Sequence, residues 1–456
     1  MHKNSGVIVL VLILVACLFG GGGVAFGVSN LAVQIVAISA LALNGDAVWQ
    51  FISRGPRPLV ALVACSLLLP LVQLIPLPPE VWRNLPGRGL VVEALSASGQ
   101  EAWRPLTVST ARTFVAFTGL IAPFAVIVFG WRSSHHALQR VVVATVGVGF
   151  ASILLGAFQV LGQDQFGLLY PQNEMPGVLF GFFANRNSTA VFLVSCLLLL
   201  CSLPSLRPLS PRWLAKVVAA VLLVTGVILT QSRTGLVLLA LPLGMVALQS
   251  LVRWKERGAR AQPSNLPMKA AVLAVALIAI GGGALATLPA TVSGSRIETL
   301  MARFDKAEEQ RPAIWEDARF AAERYWPAGS GMGTFDEVFQ IDESLENISP
   351  RRAGRAHNDY IELAIEAGPF ALLIVLAWAT WTLWSLWRGL SSAGPQRWHT
   401  LASAGVLLAV ALQSLLDYPL RNQTMLCLVA FAVVLLARQG RTAEPVSSAK
   451  AEGELA

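Results

Sequence analysis

The chain has 456 residues, 55% of them hydrophobic and 13% charged, with a net charge of +8. A soluble domain carries about 25% charged residues, so this composition excludes an ordinary water-soluble globule and points to a polytopic membrane protein. In such a protein the positive balance belongs to loops held on one side of the bilayer, and no nucleic-acid partner is expected.

From Met1 to Gly27 the chain has a basic start and a long apolar run that contains Leu14-Val15-Ala16-Cys17, the look of a lipoprotein cleavage box. A signal peptide has a shorter apolar run. This one continues through Leu18, Phe19, Val24 and Phe26, so an uncleaved first span is expected. About 20 apolar residues cross a hydrocarbon core of about 30 Å. Such segments recur at roughly 6–27, 30–48, 58–77, 113–131, 140–161, 188–203, 214–230, 234–252, 269–289, 359–387, 399–416 and 423–437, the second being short and interrupted by polar residues. The expected fold is therefore all-α, with about twelve transmembrane helices. Spans one to nine fill residues 1–289, a large and partly helical loop occupies 290–358, and spans ten to twelve fill 359–437. A polar tail, 438–456, is expected to be disordered.

Charge tests that count. Alternate turns hold Arg54 and Arg57; Arg132 and Arg140; Arg207, Arg212 and Lys216; Arg253 through Lys269; Arg388 and Arg397; and finally Arg438 and Arg441. The short loops facing the other way hold fewer: Arg83, Arg88, Arg104, Arg112, Arg186, Arg233 and Arg421. The asymmetry places both termini in the cytoplasm, and losing one span would invert everything after it. Within the large loop, Ile314, Ala318, Ala321 and Tyr325 share one face at helical spacing, and Pro312 suits a first turn. Cys17, Cys65, Cys196, Cys201 and Cys427 all fall inside expected spans, with no metal-type spacing and no disulfide framework.

Polar residues in the outer turns are the candidates for chemistry, because burying charge in lipid is expensive. Asn185-Arg186-Asn187-Ser188 opens span six. Its Asn and Ser can cap a helix, while Arg186 either snorkels to the interface or, with the helix amides, holds an anion such as a phosphate. Gln231-Ser232-Arg233-Thr234-Gly235 makes a tight turn that needs glycine but does not need an arginine at the bilayer edge. Gly329-Ser330-Gly331-Met332-Gly333 lacks the strand that a nucleotide loop requires, and reads instead as a turn folding the large loop back on the bundle. Arg355-Ala356-His357-Asn358-Asp359-Tyr360 sits where that loop re-enters the membrane. A histidine there is either a cap or a general base, since an imidazole titrates in the range a base needs. Glu362 and Glu366 share a helix face at i, i+4.

Together these motifs resemble the O-antigen ligase and polymerase superfamily of bacterial envelope glycosyltransferases. The resemblance covers most of residues 170–425. It rests on Phe183-Ala-Asn-Arg-Asn187, Gln231-Ser-Arg-Thr-Gly235, Trp315 with Gly329-x-Gly-x-Gly333, and His357-Asn-x-Tyr360 with Glu366-x-Gly368, followed by Asp417. What it implies is a metal-independent, cofactor-free, inverting transfer at the periplasmic face of the inner membrane. The donor would be a glycan on undecaprenyl diphosphate. The acceptor would be lipid A core for a ligase, or another lipid-linked repeat for a polymerase. On this basis His357 is the expected catalytic base. Arg186, Arg233, Arg355, Asn185, Asn358, Tyr360, Glu366 and Asp417 are the expected substrate-binding residues. The motif pattern leans to ligase. A flippase for the same lipid-linked glycan is the alternative from another class, disfavoured because no half-to-half similarity is visible.

Overall fold

The computed structural model describes residues 4–23, 26–99, 102–161, 169–170, 175, 177–204, 210–257, 310–346, 348, 353–390 and 396–438. The expected ninth span at 269–289, the first part of the 290–358 loop and nearly all of the tail lie outside the described residues, as do Arg207, Arg260, Lys269 and Arg441.

The described chain is almost wholly helical. The helices are α1 (Ser5–Phe19), α2 (Gly27–Leu43), α3 (Gly45–Arg54), α4 (Arg57–Gln73), α5 (Pro79–Trp82), α6 (Gly89–Ala97), α7 (Thr110–Gly119), α8 (Ile121–Arg132) and α9 (His135–Leu161). They continue as α10 (Arg186–Ser202), α11 (Pro211–Leu229), α12 (Arg233–Leu238), α13 (Ala240–Arg257), α14 (Gln310–Tyr325), α15 (Phe335–Asp342), α16 (Asp359–Leu390), α17 (Gln396–Gln413) and α18 (Gln423–Ala437). Two two-residue strands pair antiparallel, Pro76–Leu77 with Arg104–Pro105, and close the base of the 78–112 loop.

Among the described residues, five helices are long and apolar enough to cross a membrane: Thr110–Arg132, His135–Val160, Pro211–Leu229, Arg233–Val252 and Asp359–Leu390. A sixth is obtained if α2 and α3, bent by 78° at Asn44, form one span. That bend falls in the segment whose apolar run polar residues interrupt. Four shorter apolar helices, α1, α4, α10 and α18, occupy other expected spans. The first span is shorter than expected: α1 stops at Phe19, not at residue 27. The reason lies in Gly20 and Gly21. The Gly20 carbonyl accepts from the Gln423 amide (2.9 Å) and the Gly21 carbonyl from Ala184 (3.1 Å). A Cβ at Gly20 would strike Gln423, and one at Gly21 would strike the Phe182 carbonyl. The chain leaves the helix there to dock on two distant turns.

Helices α8, α10 and α18 form the buried centre. Every residue of α8 from Ala122 to Trp131 is buried except Phe124, and α10 is buried from Ser188 to Leu200. Outer helices turn apolar side chains outward. On α16, Phe370, Leu373, Leu376, Leu383 and Trp387 form one stripe at helical spacing and are 57–70% exposed. An apolar stripe of that length is costly in water and suits lipid.

Beyond one end of the bundle lies a second apolar core. Ala318, Ala321 and Tyr325 of α14 pack with Phe335, Val338 and Phe339 of α15, with Ile314 at the margin. This is the face that the helical spacing picked out.

The Gly-rich turn joins this core to α16. Pro369 has no amide hydrogen for the Ile365 carbonyl, and Gly368 leaves the helical region at φ 55°, ψ −141°. The freed carbonyls are satisfied from outside. Ile365 accepts from the Ser330 amide (2.9 Å), and Glu366 from the Gly331 amide (2.8 Å) and Gln73 Nε2 (2.9 Å). The turn therefore folds the extramembrane core back onto the bundle, as its composition suggested, and it does so at a break in α16.

Candidate active site

Three helix N-termini and one connection meet at the bundle end that faces the extramembrane core. Each helix starts with a side-chain cap. Asn185 Oδ1 accepts from the Asn187 amide (2.8 Å) at α10, and Ser232 Oγ from the Gly235 amide (3.2 Å) at α12. Asn358 Oδ1 accepts from the Tyr360 and Ile361 amides (3.0 and 3.2 Å) at α16. Caps of this type satisfy amides that a helix start leaves open. The capping groups also join the helices to one another. Ser232 Oγ donates to Asn187 Oδ1 (2.7 Å), Asn185 Nδ2 to Asp417 Oδ2 (2.9 Å), and Asn358 Nδ2 to the Leu415 carbonyl (3.0 Å). Tyr360 donates its hydroxyl to the Ala411 carbonyl (2.9 Å), which pins α16 to α17.

His357 stands at the junction. Its Nδ1 lies 3.2 Å from Asp417 Oδ1, and its ring centroid is 5.1 Å from that of Tyr418. The imidazole is 34% exposed, whereas Asp417 is 1% exposed. Burial alone would raise the Asp417 carboxyl. The hydrogen bond and charge of His357, the bond from Asn187 and the charge of Arg311 outweigh it and hold Asp417 below the usual carboxylate range. A carboxylate can only accept, so His357 Nδ1 carries the proton of this bond, and in the neutral imidazole Nε2 is the acceptor. The tautomer is thus the one a general base requires. Tyr418 is held well above its usual range, first by burial and then by the Asp417 charge.

The backbone that presents His357 is constrained. Its φ of 50° is left-handed, which a non-glycine residue adopts only when its surroundings impose it. The preceding peptide is held on both sides: the Ala356 amide donates to Glu362 Oε1 (3.0 Å), and the Ala356 carbonyl accepts from Trp315 Nε1 (2.8 Å).

Beneath this loop lies a buried ionic cluster. Arg421, 12% exposed, contacts Asp359 Oδ1 at 3.4 Å, Glu362 Oε2 at 3.0 Å and Glu366 Oε2 at 3.1 Å. Burial opposes the Arg421 charge, but the three carboxylates override it and raise the guanidinium further above its usual range. Arg355 adds a second cation at 3.0 Å from Glu362 Oε2 and lies 6.0 Å from the Tyr418 ring centroid.

The structure therefore brings together His357, Asp417, Asn185, Asn358, Tyr360 and Arg355. Arg186 and Arg233 begin α10 and α12, half-buried, on either side of the Asn187–Ser232 bond. Glu366 is placed differently. It is fully buried and held by Arg421, part of the scaffold under His357. Sequence reasoning counted Arg421 only as a loop charge and did not single out Tyr418. The signal was their position, one and four residues after Asp417. Among the described residues, no group of three or more His, Cys, Asp or Glu is placed to hold a metal ion.

Residues 218–376 match a family model described as O-Antigen ligase. The match runs from α11 into α16 and contains Arg233, Trp315, the Gly-rich turn and His357, while Asn185, Arg186 and Asp417 lie outside it. No curated protein matches the chain.

Proposed function

We propose, from the match of residues 218–376 to a family model described as O-Antigen ligase, that this protein is an O-antigen ligase that transfers a glycan from undecaprenyl diphosphate to lipid A core at the periplasmic face of the bacterial inner membrane. The observation that carries the reading is the His357–Asp417 pair, with Nδ1 tied to a buried carboxylate and Nε2 left as the acceptor.

In this mechanism an acceptor sugar hydroxyl attacks the anomeric carbon of the donor. Its proton passes to His357 Nε2, and the new glycosidic bond forms as the carbon–oxygen bond to the diphosphate breaks. Asp417 stabilises the imidazolium that results. The leaving lipid diphosphate gains charge, which fixed cations stabilise better than mobile ones. Arg186 and Arg233, at helix N-termini whose amides also favour anions, take that role, and Arg355 adds to the local positive field. Attack opposite the leaving group inverts the anomeric centre. The apolar outer stripe of α16 suits the polyprenyl tail and bilayer lipid.

The deciding experiment compares a deletion strain carrying the wild-type gene or His357→Ala. For a ligase, both the empty deletion and the variant lose polymer on lipid A core and accumulate long lipid-linked chains. A single repeat left on lipid A identifies a polymerase instead. Loss of a capsule or exopolysaccharide with intact lipopolysaccharide changes the acceptor. Purified His357→Ala is expected to turn over at least about 100-fold more slowly, the scale of a lost general base. Unchanged turnover would overturn the assignment of His357 as the base, whereas full restoration of the glycan profile by His357→Ala in the deletion strain would favour a flippase.

A further inference from the structure

At the far end of the bundle, α9, α17 and α18 enclose a small, largely apolar cavity with polar side chains in its wall, which the transfer reaction does not use. From Ser414, beside the active site, to His399 the chain runs fifteen positions along α17, roughly 20 Å at helical rise. The cavity measures about 30 Å³, room for two or three water-sized atoms. Its polar walls are His135, Gln139, Gln396, His399 and Arg438, and the remaining lining is aliphatic. His399 forms the floor. It is only 7% exposed, and its Nδ1 is buried with no hydrogen-bond partner in the structure. The His135 ring stands at the rim, 5.8 Å from that of His399, with Nε2 3.2 Å from Gln139 Nε2. Arg438 spends one nitrogen on the Trp131 carbonyl at 2.7 Å, which fixes its guanidinium at the mouth.

Among the described residues, no carboxylate lines this cavity. One guanidinium, two imidazoles and two amides converge on it, so Arg438 supplies the charge and the other four supply groups able to donate a hydrogen bond. A buried polar nitrogen without a partner costs about 1–3 kcal/mol, so the cavity is built to be filled. Its volume suits the free oxygens of a phosphate, and Val143, the residue of α9 that follows the lining Val142, is apolar and exposed, as a lipid-facing side chain is. Arg132 and Arg397 lie in the flanking turns, and Asp46, paired with Arg132 at 3.1 Å, supplies a nearby negative charge without lining the cavity.

We propose that this cavity is a phosphate-binding site, occupied by the phosphate of an anionic phospholipid headgroup. Basic pockets between membrane helices hold lipid phosphates through charge and donor groups together. The site is separate from the transfer chemistry and does not depend on that assignment.

The test uses the full-length purified chain, stripped of lipid in neutral detergent and examined by native mass spectrometry and thermal unfolding. Phosphatidylglycerol, phosphatidylcholine and inorganic phosphate are the probes. Phosphatidylglycerol is expected to bind and raise the melting temperature, with Arg438→Gln weakening binding at least about tenfold. The His399→Gln variant, which keeps the size of the side chain, is expected to weaken it as well, with ligand-free melting close to the parent. Inorganic phosphate that binds with the same loss in both variants assigns the site to free phosphate and keeps the phosphate chemistry. The proposal is overturned if neither anionic probe binds, if phosphatidylcholine binds equally well, or if both variants bind phosphatidylglycerol like the parent.

Discussion

Asp417 accepts hydrogen bonds from different elements, those of His357 and Asn185 among them, and an amide in its place has one oxygen for these donors. In Asp417→Asn, either Asn185 loses its acceptor or the new NH₂ faces His357 Nδ1. The second case selects the wrong tautomer. We expect kcat to fall by about 100-fold or more with little change in KM, as for other carboxylates that orient a catalytic histidine. Steady-state rates on the purified enzyme check this. The depressed Asp417 carboxyl also sets a pH dependence. Its stabilising contribution is complete above the unfolded carboxylate value of about 4 and is lost as pH falls through the lower folded value. The Asp417 anchor therefore survives mild acid. Arg421 makes a different kind of claim. Removing it as Arg421→Met leaves three buried carboxylates facing one another. Removing one partner from a buried ion pair costs about 3–5 kcal/mol, so this variant is expected to unfold earlier in detergent or fail to accumulate. Recovery of full stability in Arg421→Met would show that the cluster is not what holds the loop.

The elements show which parts of the site could be read from the chain and which could not. The cap at Asn185 was legible because capping is local chemistry, and the α14 face because helical spacing is local geometry, whereas Ser232 was read as part of a turn and Asn358 as a substrate-binding residue, and both prove to cap helices. Arg421 was not, since its partners lie 55 to 62 positions upstream and nothing nearby in sequence marks them. The end of α1 at Phe19 and the break in α16 fall in the same class. Each contains the right residues, Gly20-Gly21 and Gly368-Pro369, but a long apolar run hides them until the partners that exploit the break are visible. That break carries its own prediction. Gly331 has φ 114°, and a Cβ there would collide with Thr107. Gly331→Ala should lower stability by more than the about 1–3 kcal/mol of backbone strain alone, and it should reduce turnover, because the Gly331 amide holds the Glu366 carbonyl at the root of the His357 loop. Gly99 also has a left-handed φ, 67°, but opens on empty space. Gly99→Ala therefore shows the strain without the collision, and the difference in melting temperature between the two variants isolates the packing.

For the whole molecule, orientation in the membrane decides which substrates His357 can reach. The structure places His357 and the second apolar core at one end and the His399 cavity at the other, and the proposed function requires the first end to face the periplasm and the second the cytoplasm, as the expectation from Lys and Arg has it. The two ends can be labelled separately. Ser98 lies exposed in the 78–112 loop on the first end, and Ser134 lies exposed in the α8–α9 turn on the second. Of the native cysteines, Cys65 is exposed and Cys201 partly so, and both are removed before labelling. With a membrane-impermeant maleimide on intact cells whose outer membrane has been opened, Ser98→Cys is expected to react at once and Ser134→Cys only after the inner membrane is permeabilised. The reverse pattern would put His357 in the cytoplasm, where a flipped lipid-linked donor is absent, and would remove the proposed reaction while leaving the His357–Asp417 geometry to be explained by another substrate. Reaction of both from outside would mean an odd number of crossings between residues 98 and 134 is wrong. The span built from α7 and α8, 23 residues of high apolarity, would then have to lie within one face of the membrane, which its buried position at the centre of the bundle opposes.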